Sequence, residues 1–413
     1  MDYDGCAAWL FSTQSFGVKL GLDNISRLLQ SLDLPGDHPH VLHVAGTNGK
    51  GSTCAFAESI CRTQGLRTGL FTSPHLLRVN ERIRVDFQPV SDAQFVRLTS
   101  QFREAVSNWN PPPTFFELTL AIALLHFREE AVDVVILETG MGGRLDATSA
   151  VTPTSTAITR IGLDHTQWLG DNLTAIAGEK AGIIKPGVAL AVAPQKPAAE
   201  HVITLRATEL GSPLIKISPA DCPAIDLGLK GLHQRENAAL AIQLIACSGI
   251  TLFPEKIAQA LADTTWPARF QIIHLPDRTH PIVIDGAHNP DSASILVETW
   301  HAYFPQTQAT LLFASLKEKD TRTLFSTLVP IAHKVIITET GTTRSIPANH
   351  LAAVVEKILP RHAEPPQVIA DAKEAFIQAI EDDSRPVLVA GSLFLAAITL
   401  AQIGNRDHQA SLQ

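Results

Sequence analysis

The segment His43-Val44-Ala45-Gly46-Thr47-Asn48-Gly49-Lys50-Gly51-Ser52-Thr53 holds the residue types that grip a polyphosphate. Glycines let backbone N–H groups crowd around an anion, and the N-terminus of a following helix adds partial positive charge. Lys50 is placed to reach the outer phosphates, and a hydroxyl after it, Ser52, to meet Mg2+. An apolar strand pattern precedes the loop, and a helix pattern, Cys54–Ile60, follows it. Only Thr47 and Asn48 separate the first glycine from Gly49-Lys50, so the loop is a shortened variant of the common Gly-x-x-x-x-Gly-Lys pattern.

Three further residues could hold a hard cation beside those phosphates. Glu138 ends the hydrophobic run Val132–Glu138, and in open α/β sheets that strand edge is where ligands bind. His165 follows the run Thr156–Ile161 toward the same edge, and Ser73 follows Gly69-Leu70-Phe71. A carboxylate, an imidazole and a hydroxyl, completed by nucleotide oxygens, make a shell for Mg2+. Each residue taken singly also reads as a turn or cap residue. Lys180 stands in small, apolar company (Ala177-Gly178-Glu179-Lys180-Ala181-Gly182), where its charge by itself reads as a phosphate-binding cation. Asp285 ends another strand, before His288 and Asn289, and an acidic residue at such a place often meets a ribose.

These residues need strands and helices to present them. Apolar, β-branched runs predict strands at Val41–Ala45, Val132–Glu138, Thr156–Ile161, Val188–Val192, Ile282–Asp285, Thr310–Ala314, Lys334–Thr338, Gln367–Ala370 and Val387–Ala390. Helical patterns alternate with them. Ser91-Asp92 and Asp371 read as helix starts. Near-continuous apolar strands separated by helices predict parallel sheets covered on both faces. Trp266–Asp277 reads as a boundary. It divides the chain into residues 1–272, an α/β ATPase domain on a P-loop-type, mostly parallel sheet, and residues 273–413, a smaller Rossmann-like α/β domain.

Composition narrows the function. The 413 residues carry 33 Lys+Arg against 41 Asp+Glu, a net charge of −8, with no basic run. That argues against a protein whose work is gripping nucleic acid. Charged residues at 18% and hydrophobic ones at 45% are ordinary globular values, so disorder is not expected. The acidic start, Met1-Asp2-Tyr3-Asp4, does not read as a secretory signal. The late apolar stretch Val387–Ala401 is broken by Gly391-Ser392 and falls short of the roughly 20 residues a bilayer needs, so no membrane partner is expected. Five cysteines without a Cys-x-x-Cys point to a reduced, cytoplasmic setting.

Taken together the motifs resemble the folylpolyglutamate synthase/dihydrofolate synthase family, within the Mur ligase superfamily. They run in family order: 43–52, Thr72–Leu76, Asn80–Arg84, Thr114–Glu117, Glu138–Thr148, Leu163–Gly170, Glu179–Pro186, His233–Ala238 and Asp285–Pro290. The tail beyond them matches only as a generic α/β domain. The resemblance implies a ligase that joins L-glutamate to 7,8-dihydropteroate or a reduced folate, with ATP and two Mg2+ as cofactors, K+ as a further ion, and a monomeric state. It implies that Gly49, Lys50, Gly51 and Ser52 bind ATP phosphates, and that Asn237, Arg269 and Asp285 belong to the nucleotide site. Ser73, Glu138 and His165 would ligate Mg2+. Lys180 matches a lysine that is carbamoylated in the family and ligates the second Mg2+, the opposite charge to the reading from residue type. A pterin pocket would draw on Leu20, Gly21, Leu22 and Asp23, on Thr114, Phe115, Phe116 and Glu117, and on Leu145, Asp146 and Ala147.

Two positions depart from the family pattern: Ser149 replaces the usual Asn, and Ala268 the usual Gly of Pro-Gly-Arg. The second matters only where φ is positive. Rival readings are weaker. A muramyl-peptide ligase carries a UDP-sugar domain ahead of its phosphate loop, and a loop starting at Gly46 is expected to leave no room for one. A regulatory nucleotide-binding module should lack a full metal-ligand set. A plain P-loop kinase needs neither the second domain nor Lys180.

Overall fold

The computed structural model describes residues 1–16, 21–34, 40–361 and 363–409. Its strands, in chain order, are β1 His40–Ala45, β2 Thr68–Phe71, β3 Ile83–Val85, β4 Gln88–Pro89, β5 Val134–Glu138, β6 Ser155–Ile158, β7 Leu190–Val192, β8 Leu214–Lys216, β9 Gln271–Ile273, β10 Ile282–Ile284, β11 Ala309–Phe313, β12 Ala332–Ile337, β13 Gln367–Val368 and β14 Val387–Ala390. The first eight form one sheet in the order β4-β3-β2-β5-β1-β6-β7-β8. It is parallel except for the β2-β3-β4 edge. The other six form a second sheet, β13-β12-β11-β14-β10-β9, antiparallel only at β9. The mostly parallel α/β architecture read from the sequence is the one observed.

The continuous apolar runs are explained by layers on both faces. In β5, Val135 and Leu137 enter a core built with the helix Phe115–Glu129. Val134 and Ile136 face the opposite core, with the helices Lys50–Gln64 and His233–Cys247. Alternate residues of one strand thus serve two layers, so no polar face is needed. The second sheet repeats this: Leu311 and Phe313 belong to one core and Leu312 to the other.

Differences from the expected elements have local causes. β6 ends at Ile158 rather than Ile161, because the Arg160 carbonyl leaves the ladder and accepts the N–H groups of Thr47 and Asn48 in the phosphate loop. β3 and β4 were not foreseen. Their turn is Asp86-Phe87, with φ of 48° and 67°, and the sequence lacks the Asn-Gly pair that usually marks such a turn. The short edge strands β8 and β9 carry no alternation to read. The expected division after residue 272 falls inside β9, which pairs with β10.

Ala268 has φ 58° and is fully buried. The turn therefore has the left-handed geometry that glycine fills without cost, and the alanine holds it under strain. Its carbonyl accepts the Gly286 N–H at 2.9 Å, which ties the turn to the end of β10. A β-branched side chain tolerates that backbone least, so Ala268→Val is expected to destabilise the chain by about 2 kcal/mol or more. Denaturant unfolding checks this. Ser149, the other departure, donates to the Gly143 carbonyl at 2.6 Å and so serves its own turn.

Candidate active site

β1 delivers the phosphate loop to the sheet edge, and its neighbour β5 delivers Glu138 to the same edge: Val44 and Glu138 are register partners. Gly49 has φ 97°, and a Cβ there would come within 2.4 Å of Asn237 Oδ1, so the loop needs glycine for both its turn and its approach to Asn237. Lys50 is the first residue of the helix Lys50–Gln64, whose first turn contains no acid. A cation at a helix N-terminus opposes the macrodipole, and this one helps the helix in no way. Its Nζ donates to the carbonyls of Gly46 and Thr47 at 3.2 and 3.4 Å.

A cavity of about 230 Å³ opens between the two sheets' domains. Gly46–Ser52, Ser73, Glu138, His165, Lys180 and Asn237 line it from the first, Arg269 from the turn that joins the two, and Asp285 and His288 from the second. Thus all the sequence-predicted phosphate, metal and nucleotide residues meet at one cleft.

The electrostatics follow from burial. Burial raises the Glu138 carboxyl, against the opposing pull of Lys50, the Ser73 N–H and Arg269. Its Oε2 accepts that N–H at 3.1 Å. Burial pushes His165 down to about 4, so its imidazole is neutral near pH 7, and no described residue hydrogen-bonds the ring. Lys180 is only 4% exposed; its Nζ donates to the Gly46 carbonyl at 2.7 Å. Burial first, and Lys50 second, push it down to about 7. Asp285 accepts the N–H groups of Phe270 and Ala287 at 2.7 and 2.8 Å, and burial raises it.

Several cleft residues were missed individually. Asp164 accepts from Lys319 Nζ at 2.5 Å and from Asn289 at 3.2 Å, and His288 lies 3.4 Å away. Burial would raise this carboxyl, yet His288 and Lys319 hold it well below the usual range. Asn289 also exchanges amide hydrogen bonds with Asn48 of the phosphate loop, at 3.0 and 3.3 Å. Lys319 follows β11 at the same kind of strand edge that flagged Glu138, so the signal existed. Arg344, which also lines the cavity, lies in the loop after the parallel neighbour β12, on the same strand edge.

The expected pterin residues are not among the cavity's lining. Leu20 lies outside the described residues. Gly21 and Leu22 lead into the helix Asp23–Ser31, which Asp23 begins, and Leu22 at its N-cap position makes no side-chain cap bond. Thr114 and Glu117 form a reciprocal capping box at the start of Phe115–Glu129. Phe115 is 1% exposed and stacks on Phe11 at 5.5 Å, so it is a core residue. Successive helix residues point about 100° apart; Phe116 is half-buried and covers Gly140, whose Cβ would lie 2.7 Å from its ring. Asp146 caps the turn Ala147–Ala150, accepting from Met141 N–H (2.8 Å), Thr148 N–H (3.0 Å) and the Thr148 hydroxyl (2.6 Å).

Residues 44–220 match the Mur ligase middle domain, and residues 268–393 match the Mur ligase glutamate ligase domain. The chain is 34% identical over 425 residues to the dihydrofolate synthase/folylpolyglutamate synthase of Bacillus subtilis, covering 95% of this chain and 97% of that one. Among solved structures, E. coli FolC in complex with DHPP and ADP is similar with a TM-score of 0.86 and 29% identity, over 97% of this chain and 98% of that one. A bifunctional folylpolyglutamate synthase/dihydrofolate synthase with Mn, AMPPNP and L-glutamate bound gives 0.85 and 31%, over 97% and 98%. With both Mur ligase domains in place and near full-length likeness, the chain belongs to the dihydrofolate synthase/folylpolyglutamate synthase family of Mur ligases.

Proposed function

We propose that the chain is an ATP-dependent ligase that joins L-glutamate to 7,8-dihydropteroate and also to reduced folates. One observation carries this reading: phosphate loop, buried carboxylate, neutral imidazole and buried lysine share one cleft with Arg269 of the connecting turn and Asp285 of the facing domain. The acceptor carboxylate attacks the γ-phosphorus of ATP, giving an acyl phosphate and ADP. The glutamate amine then attacks the acyl carbon, and inorganic phosphate leaves with the bonding electrons. A carboxylate is a poor acyl donor because oxyanion leaves badly; phosphorylation supplies the leaving group. The protein aligns the partners and offsets negative charge, with Lys50 and the loop N–H groups on one side and Arg269 on the other.

The donor set fits a divalent cation. Glu138 brings a carboxylate, Ser73 a hydroxyl, and His165 a neutral ring nitrogen with no described partner. Mg2+ there would neutralise phosphate charge, and relatives bind Mn with a nucleotide analogue. Lys180 is assigned to a second cation as its carbamate, formed when the neutral amine adds CO2 and releases a proton. Its buried position, away from water and beside small residues, favours the neutral amine. Activity of Lys180→Ala is expected to return on adding short carboxylates, and a high-resolution map should show density beyond Nζ. A bare ammonium there would contradict the carbamate.

Phe116, not Phe115, is assigned to the pterin face. Phe116→Ala is expected to raise the acceptor KM about tenfold, as loss of an aromatic face and its buried area implies, with the ATP KM nearly unchanged. Steady-state kinetics in both substrates checks this. An ATP KM that rises while the acceptor KM stays would misplace the pocket. No helix among the described residues is long and apolar enough to cross a membrane. The five free cysteines suit a reduced, cytoplasmic setting, and the phosphate, cation and nucleotide residues of the cleft all come from one chain, in keeping with a monomer. The direct test is ATP-dependent incorporation of labelled glutamate, first into dihydropteroate and separately into a reduced folate. Incorporation into neither would overturn the reading.

A further inference from the structure

After the last helix of the second domain, Leu393–Ile403, and its C-cap Gly404, Asn405 has φ 45° and the chain turns back toward the first domain. There Gln409 docks on the loop that follows Ser73. Its backbone N–H donates to the Leu77 carbonyl at 2.7 Å. Its carbonyl accepts from His75 Nε2 at 3.1 Å, and its side-chain Oε1 accepts the Val79 N–H at 3.4 Å and lies 3.0 Å from the Tyr3 hydroxyl. His75 is buried, and its Nδ1 accepts from Arg82 Nε at 2.9 Å, which leaves Nε2 as the protonated nitrogen that faces Gln409.

The same loop is fixed from two other sides. The Glu81 carboxylate accepts the N–H groups of Leu76, Leu77 and Arg78 at 2.9, 3.0 and 3.2 Å. Leu77 is buried in a core of the second domain, with Leu395 and Ile398 of the last helix. A loop of the first domain is thus clamped by the second, immediately after the residue assigned to the cation.

We propose that Gln409 is a positioning residue for the cation side of the cleft: docked on His75, Leu77 and Val79, it holds the loop that carries Ser73 in register with the second domain. The proposal rests on the reading of Ser73 as a cation ligand given above. Gln409 touches neither substrate nor cation in this role. It acts through the loop, as the outer partners of metal ligands do.

Two variants test it in the full chain. Gln409→Ala removes the side-chain acceptor, and deletion of residues 407–413 removes the backbone bonds as well. Hydrogen exchange of the Leu76–Val79 amides should speed up about tenfold in the deletion, and less in Gln409→Ala, while the helix Lys50–Gln64 exchanges as before. The Mg2+ half-saturation for glutamate ligation should rise about tenfold with the acceptor KM unchanged. Combined with Ser73→Ala, the deletion should add little further to the Mg2+ requirement, because both act on one element. Unchanged exchange, faster exchange with an unchanged Mg2+ requirement, or full additivity with Ser73→Ala would each overturn the proposal. If the unaltered enzyme incorporated no glutamate, the functional reading would fail separately. The exchange measurement would still decide whether the tail holds the loop.

Discussion

Lys50→Ala is expected to lower glutamate ligation by about 10³-fold or more, the scale for removing a preorganised charge from a transferring phosphoryl group. The fold should survive. Lys50 occupies the first position of its helix, where a cation opposes the helix dipole, and its hydrogen bonds go only to carbonyls of its own loop. Relief of the helix dipole works one way, and loss of the main counter-charge of the buried Glu138 carboxylate works the other, so stability should fall modestly with the fold retained. Circular dichroism and denaturant unfolding establish the fold, and steady-state ligation gives the loss. A well-folded Lys50→Ala enzyme with near-normal turnover would sink the phosphate-loop assignment.

Glu138→Gln is expected to cost about 10²-fold in ligation, with an increased Mg2+ requirement. The amide has nearly the same shape, so packing at the end of β5 should hold. What is lost is the negative charge, and a neutral oxygen is a weaker ligand for a hard cation. Loss of that charge also removes one anion that Lys50 and Arg269 face, although Arg269 keeps Asp285 beside it. His165→Ala should raise the Mg2+ requirement too. Unaltered Mg2+ titrations in both variants would make the two residues structural.

The legible part of the molecule was the part encoded locally. The phosphate loop combines strand, glycines, lysine, hydroxyl and helix within a dozen residues, and each feature constrains the same backbone. Glu138 was legible because a carboxylate ending a run of buried apolar residues has few other reasons to be there. The strands of both sheet centres were visible for the same reason, being apolar on both faces. Less legible was anything set by the meeting of distant segments. Phe115 and Phe116 are equivalent in sequence, and only packing against Phe11 sends the first into the core while the second covers Gly140. For Asp146 the resemblance implies a pterin pocket while the residue type alone also suits a turn cap, and only the contacts with Met141 and Thr148 show that it does cap one. The bridge from Asp164 to Lys319, His288 and Asn289 joins segments more than a hundred residues apart, and its geometry exists only once the domains face each other. The same holds for Gln409 and His75.

The strained turn at Ala268 shows the reverse case. The sequence raised the question of φ at one residue, and the backbone answers it with 58°. The turn hands the chain from the first domain to β9 while presenting Arg269 to the cleft. A local departure there bears on stability more directly than on chemistry, since Arg269 remains in place.

Phosphorylation of the acceptor carboxylate before glutamate attacks is tested most directly with dihydropteroate carrying 18O in its carboxylate. Ligation through an acyl phosphate transfers one carboxylate oxygen to inorganic phosphate for each amide bond formed, and mass spectrometry of the released phosphate should show that label in step with product. Amide formation with unlabelled phosphate would contradict the account.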